Sequence, residues 1–419
     1  MTGSKNSFRY SPAGHVFDTN KGPMIFENGQ NIIHYLLGFF ISPIAQFILK
    51  VVNPSLSLQN GDMDKLPIII DEEQKPIVEQ LVQQSILISK IDWDNCEISW
   101  DFMRHPLLTQ NADNINANKL KTIYQEWSHF TNSQFFQLKS NEEEINRIFI
   151  KIYDLQDELI ADVDNKNVTI RKANLGHDIR SFISYAVGCM FGRYSLDVDG
   201  LVYAGGQWDD SKYSTFIPDE DNILPITDEE YFEDDIVGLF VAFVKKVYGV
   251  ETLEENLDFI AKALGNKGNT AREIIRNYFL KDFFKDHCKV YQKRPVYWLF
   301  DSGKADGFKA LIYMHRYDEN TIGNLRIDYL HKMQRVYERE IARMQETIDN
   351  STNAREVAVA EKRKDKLTKQ LKETKDYDEK IAHLALARIA IDLDDGVKVN
   401  YEKVQTGSDG KKLEVLAKI

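Results

Sequence analysis

Cysteine is scarce in this 419-residue chain, and its three copies, Cys96, Cys189 and Cys288, lie far apart with no Cys-x-x-Cys spacing. A disulfide framework and a cysteine zinc site are both excluded, and free thiols in a reducing cytoplasm are expected. A charged leader with an apolar core and a small-residue cleavage site is also missing, so the sequence predicts no secretion. The one long apolar run, residues 32–49, is broken by His34, Gln46 and Ser42-Pro43. That break predicts two short buried helices with proline in the first turn of the second, and no membrane span. Glycine-rich strings occur at Ala204-Gly205-Gly206 and Leu264-Gly265-Asn266-Lys267-Gly268. Neither sits between a strand and a helix as a nucleotide loop requires, so no cofactor-binding residue is assigned.

Basic charge is also in short supply, since 53 Lys and Arg stand against 65 Asp and Glu, a formal net charge of −12. A uniformly basic nucleic-acid binder is thereby excluded, because phosphate binding relies on cations that displace counterions. The charge is unevenly spread. Residues 207–235 hold Asp209, Asp210, Asp219, Glu220, Asp221, Asp228, Glu229, Glu230, Glu233, Asp234 and Asp235 against the single base Lys212. Such a run reads first as a solvated loop, with a metal site or a DNA-mimicking surface as alternatives. No metal ligand is assigned.

With 43% hydrophobic and 11% aromatic residues, there is ample material for sizeable cores. Pro76 opens a helical segment carrying Ile77, Leu81 and Ile88. Ser140 with Glu143, and Thr270 with Glu273, have the spacing of a capping box, which predicts helix starts at both. Further helices are predicted at about 178–190, 234–248, 252–264 and 270–288. Two aromatic and β-branched runs, Arg294 to Phe300 and Phe308 to Tyr313, flank turn residues and predict a β-hairpin with Lys304 at its tip. Leu330, Met333, Tyr337, Ile341, Met344 and Ile348 alternate spacings of three and four, a coiled-coil seam; a second helical run follows to Ile391. An antiparallel helical hairpin is the simplest product. Near the end, Leu413, Val415 and Leu416 suggest an edge strand. The expected fold is α+β, a mixed multi-segment chain of helical segments, a β-hairpin region and a C-terminal antiparallel coiled-coil hairpin.

Several strings resemble a family signature: Gly192-Arg193-Tyr194-Ser195-Leu196-Asp197, Tyr203-Ala204-Gly205-Gly206, Arg294-Pro295-Val296-Tyr297-Trp298-Leu299-Phe300 and Leu311-Ile312-Tyr313-Met314-His315-Arg316-Tyr317. They resemble the C-terminal part of the PglX-type adenine-specific DNA methyltransferases of BREX phage-defence systems. Phe8-Arg9-Tyr10-Ser11-Pro12, Asn53-Pro54-Ser55-Leu56, Gln59-Asn60-Gly61-Asp62 and Leu66-Pro67-Ile68 are similar to the end of the target-recognition region in that family, and Glu143 to Phe149 with Asp154 to Leu159 to the helix that comes next. Periodicity and punctuation give five segments: 1–75, which the resemblance makes the end of the target-recognition region; 76–160, a helical connector; 161–323, an α+β domain; 324–392, the helical hairpin; and 393–419, a tail.

The family's catalytic apparatus has no counterpart here. An adenine-N6 methyltransferase needs a glycine-rich turn against S-adenosylmethionine and an Asn-Pro-Pro-aromatic loop for the flipped base. Asn53-Pro54-Ser55 lacks the second proline and the aromatic and is read as a turn. The resemblance thus implies S-adenosylmethionine for the full-length enzyme, none for this chain, and no catalytic residue within it. The implied partners are double-stranded DNA, a catalytic methyltransferase half and other defence-system proteins. The residues themselves point to a module that helps hold duplex DNA, through Lys293, Arg294, Lys304, Lys309 and Arg316 around the hairpin and Lys362 and Lys366 on the helical arm. Tyr297, Trp298, Tyr313 and Tyr317 read as sheet packing before stacking surface. A protein-interaction scaffold of a defence complex is the alternative reading, and an intact small enzyme is a third that the missing motifs oppose.

Overall fold

A computed structural model describes residues 8–11, 14, 24–26, 29, 31–53, 60–108, 118–265 and 267–419. The expected turn at Asn53-Pro54-Ser55-Leu56 and position Asn266 fall largely outside them. The structure is 57% helical with one small antiparallel sheet, an α+β arrangement. It divides into two compact units, residues 1–95 with 126–173, and residues 96–125 with 174–419.

In the first unit, α1 (Ile33–Ile41) and α2 (Pro43–Val52) break at Ser42 with a bend of 72°. Pro43 lacks the N–H that a continuing helix needs, and Ser42 Oγ donates to the Phe39 carbonyl at the break. After a single turn, α3 (Asn60–Met63), the 20-residue α4 (Lys75–Asp94) covers them. Tyr35, Phe39, Ile44, Val78, Val82, Ile145 and Phe149 form the shared core. Gly38 lets α1 and α4 meet, since a Cβ there would stand 2.7 Å from a Val78 methyl. Among the described residues no single helix is long and apolar enough to cross a membrane, and the bent pair buries much of its surface in this core.

One helix, α5, runs unbroken over Leu120–Ile152. The start expected at Ser140 is therefore corrected. Nothing in residues 120–139 breaks a helix, and the first turn is anchored upstream, where Leu120 N donates to Asn256 Oδ1 at 2.8 Å. A capping-box pattern inside a continuous helix has no free amide to cap.

The second unit holds α6 (Leu175–Met190), α7 (Ile236–Tyr248), α8 (Leu253–Leu264), α9 (Ala271–Lys281) and α10 (Phe283–Val290). Thr270 caps α9 by accepting from Glu273 N, as the sequence predicts; the single helix expected to 288 is instead two, parted at Asp282. The sheet runs β1 (Leu224–Pro225), β3 (Lys309–Tyr313), β2 (Tyr297–Asp301) in spatial order. Strands β2 and β3 form the expected hairpin, registered from Tyr297 opposite Tyr313 to Asp301 opposite Lys309. Leu416 adds one bridge to Phe300, short of a full edge strand. Tyr297, Trp298 and Tyr313 are fully buried and Tyr317 nearly so, which settles their role as packing.

The C-terminal helices are α11 (Thr321–Asn324), a π-helical stretch Leu325–Leu330, α12 (His331–Asn350), α13 (Ala354–Ala387) and the short α14 (Val397–Lys403). Helices α12 and α13 run antiparallel: Arg326 meets Asp378, Lys375 meets Glu338 and Lys364 meets Gln345. They do not stand free of the rest of the unit. Met333 and Tyr337 are buried, whereas Ile341, Met344 and Ile348 are only partly so. Tyr337 donates to the Gly307 carbonyl at 2.7 Å, and Tyr377 to the Val415 carbonyl at 2.7 Å. The seam packs chiefly on its partner helix, and Tyr337 and Tyr377 tie the pair to the rest of the unit.

Candidate nucleic-acid interface

The signature strings, more than a hundred residues apart, converge on one buried polar centre. Gly188, on the last turn of α6, lies so close to Tyr194 that a Cβ would stand 2.3 Å from its ring. That approach lets Arg193 reach inward, where its Nη1 donates to the Tyr313 hydroxyl (3.1 Å) and its Nε to the Tyr194 hydroxyl (3.2 Å). The guanidinium also lies 5.9 Å from the ring centroids of Tyr291 and Tyr313, close enough for cation–π attraction. Tyr297 stacks on Phe191 at 5.3 Å and on His287 at 4.6 Å. His287 Nε2 accepts from both Val296 N and Tyr297 N, so its proton resides on Nδ1. Burial and the nearby Arg193 push the His287 pKa down to about 3 and that of His315 to about 4, keeping both neutral. The strings pack against each other in the core.

Within that scaffold the expected DNA contacts separate into two groups. Lys309 is buried, with Nζ donating to the Leu280 carbonyl (3.1 Å) and to Asp306 (2.6 Å). Arg316 donates to the backbone carbonyls of Asp219 (2.7 Å) and Glu220 (2.8 Å) and lies 4.5 Å over the Trp208 ring. Lys366 is held by Asp228. These three cations are occupied by the fold. Lys293, Arg294, Lys304 and Lys362 are exposed and form no ion pair among the described residues. Lys304 sits on a loop that α13 pins: Glu373 accepts from Ala305 N (2.8 Å), Gly307 N (3.0 Å) and Ser302 Oγ (2.7 Å).

The acidic stretch is in part the solvated loop that its composition suggests, with Asp209, Asp210, Glu220, Asp221, Glu229, Glu230 and Glu233 exposed, but four of its acids are drawn into the fold. Asp235 is fully buried, caps α7 through Val237 N and Gly238 N, and binds Arg276 with both oxygens at 2.7 and 2.8 Å. Asp228 holds Arg363 as well as Lys366. Asp219, Asp221 and Asp234 bring carboxylate oxygens within 4.8 Å of one another. The Tyr329 hydroxyl lies 2.7 Å from Asp221 and also reaches Asp234. Burial, then the charge of Asp221, pushes the Asp219 carboxyl up to about 7, so a retained proton relieves the repulsion. Composition hid these partners, which lie 41 and 135 residues away for Asp235 and Asp228.

No family model matches the chain. It is 44% identical over 402 residues to an adenine-specific methyltransferase PglX of Lacticaseibacillus casei (strain Zhang), covering 95% of this chain and 33% of that protein. It is 36% identical over 426 residues to an adenine-specific methyltransferase BrxX of Escherichia coli O9:H4 (strain HS), covering 95% of this chain and 34% of that protein. The chain thus spans about a third of the length of the relatives it matches. With near-complete coverage of its own length at these identities, the chain belongs to the PglX/BrxX adenine-specific methyltransferases and corresponds to a C-terminal part of such a protein.

Proposed function

We propose that this chain is the DNA-recognition and C-terminal portion of a site-specific adenine-N6 DNA methyltransferase of a phage-defence (BREX) or restriction-modification system, and that it does not itself carry the catalytic motifs. The observation that carries this reading is the match over 95% of the chain to only a third of proteins named adenine-specific methyltransferases. The sequence has no Asn-Pro-Pro-aromatic loop, and its signature strings are spent on packing around Arg193. The work left to this portion is to hold the duplex while another part flips and methylates the base. Of the cations expected from the sequence to contact DNA, Lys293, Arg294, Lys304 and Lys362 are exposed and not engaged by an ion pair among the described residues. S-adenosylmethionine belongs to the complete enzyme in this reading.

The test combines calorimetry with S-adenosylmethionine, a methyl-transfer assay and a duplex-binding titration on the purified chain. No saturable heat, no methyl transfer and salt-sensitive duplex binding are expected. Micromolar cofactor binding at one site, or methyl transfer by the chain alone, would overturn the non-catalytic assignment. Absence of duplex binding at about 50 mM salt, where phosphate contacts are strong, would favour a protein-interaction scaffold instead.

A further inference from the structure

Helix α10 has a buried side and a basic side. Phe283, Phe284, His287 and Cys288 face the core, while Lys285 and Lys289, four residues apart and hence on one face, are exposed. Lys281 is exposed just before the helix, and Lys293 and Arg294 just after it. Residues 281–294 therefore carry five cations against the two acids Asp282 and Asp286, an excess of 5 − 2 = 3 in a chain whose net charge is −12. Both acids are half-buried. Asp286 is engaged by the Tyr278 hydroxyl (3.1 Å) and faces Arg180 at 3.6 Å. Asp282 lies 4.0 Å from Lys285, the only ion pair of the five cations among the described residues.

The ridge is rigidly mounted. His287 Nε2 accepts from two amides at the start of β2, and its ring stacks on Tyr297, so α10 is fixed to the sheet from its inner side. The chain leaves the helix through Gln292 (φ 50°) and Lys293 (φ 61°), two consecutive residues in the left-handed region where glycine would be easier. Lys293 N donates to the Cys288 carbonyl (2.8 Å) and Arg294 N to the Tyr291 carbonyl (2.9 Å), which closes the turn and holds Lys293 and Arg294 beside the helix end. A rigidly mounted row of cations, of which only Lys285 has an ion pair among the described residues, suits a regular row of anions, because the backbone that presents it needs no ordering on binding.

We propose that Lys281, Lys285, Lys289, Lys293 and Arg294 form a ridge that binds the phosphate backbone of duplex DNA. The inference rests on the DNA-recognition reading above and deepens it by placing the contact on α10 and its exit turn, with the hairpin tip at Lys304 and the arm at Lys362 outside it. Contacts of this kind position the duplex and carry no base preference.

The experiment is a salt titration of binding to one duplex by the native chain, by a Lys285→Gln, Lys289→Gln, Lys293→Gln, Arg294→Gln variant, and by a Lys304→Gln, Lys362→Gln variant. Each residue that holds a phosphate should lower the magnitude of the log-affinity against log-salt slope by about one on removal. A drop of about three to four is expected in the first variant and none in the second. All substituted side chains are exposed, so both variants should keep the native melting temperature. Acetylation of the native chain with and without duplex reads the same surface without mutation, and protection of Lys285, Lys289 and Lys293 is expected. Native binding with an unchanged slope in the first variant, or with those lysines unprotected, overturns the ridge and leaves the DNA-recognition reading standing. Failure of the native chain to bind any duplex at about 50 mM salt overturns both.

Discussion

Arg193 Nη1 donates to the Tyr313 hydroxyl at 3.1 Å, joining residues 120 positions apart, and that hydroxyl in turn donates to the Tyr203 carbonyl at 2.8 Å. One oxygen thus links three of the four signature strings inside the core. Tyr313→Phe keeps the ring but leaves a buried guanidinium and a carbonyl each short of a partner. A loss of about 1–3 kcal/mol is expected, measured as the shift in the urea midpoint at unchanged slope. A change below a few tenths of that would show the hydroxyl to be dispensable.

The helical arm supports the hairpin loop. Glu373 accepts three hydrogen bonds from that loop, and Tyr337 and Tyr377 donate to carbonyls outside the helix pair. Removal of residues 324–391 should therefore unfold the second unit, seen as loss of its cooperative melting transition. None of residues 346–356 is buried, and their replacement by a short turn should leave the melting temperature nearly unchanged. A folded, cooperative protein after the larger deletion would make the arm separable after all.

Buried Asp235 is the case where removing one partner should cost most. Arg276 is itself largely buried, and without the carboxylate its charge has no compensation, while α7 loses its cap. Asp235→Ala should destabilise by about 3–5 kcal/mol, with the double variant Asp235→Ala, Arg276→Met recovering part of that. Equal losses in the single and double variants would show that the cap outweighs the ion pair.

For Asp219 the pH dependence has a definite sign. Its carboxyl is pushed up to about 7 from an ordinary value of 3.8, so the folded state holds a proton that the unfolded chain releases. The associated stability is complete below the unfolded value and is lost as pH rises through about 7. Asp219→Asn keeps an oxygen for Ile223 N, which donates to Asp219 Oδ1 at 3.2 Å, and removes the titration. The melting temperature of the variant relative to the native chain should climb between pH 4 and pH 7 and level off above pH 8. A constant difference across that range would place the buried proton elsewhere.

Much of the local structure was legible. Ser42-Pro43 parted α1 from α2, Thr270 with Glu273 marked the start of α9, and two aromatic runs around a turn gave the hairpin. Ser140 with Glu143 carried the same capping pattern and lies inside α5, because a cap pattern acts only where a helix end is already present. The seam from Leu330 to Ile348 had the right spacing but not the expected setting. Spacing reports that one face is apolar, and Tyr337 uses that face to reach Gly307 as well as the partner helix.

By itself the sequence determined most of the helices, the hairpin, the aromatic packing and the family, since each of these follows from near neighbours along the chain or from similarity over its whole length. Only the tertiary structure decided which charges are free. Lys309, Arg316 and Lys366 looked the same as Lys293, Lys304 and Lys362 in the sequence, yet Asp306, the carbonyls of Asp219 and Glu220, and Asp228 occupy the first three. Most of those partners lie tens to more than a hundred residues away, and a charge is spent or spare according to what folding brings within about 3 Å of it.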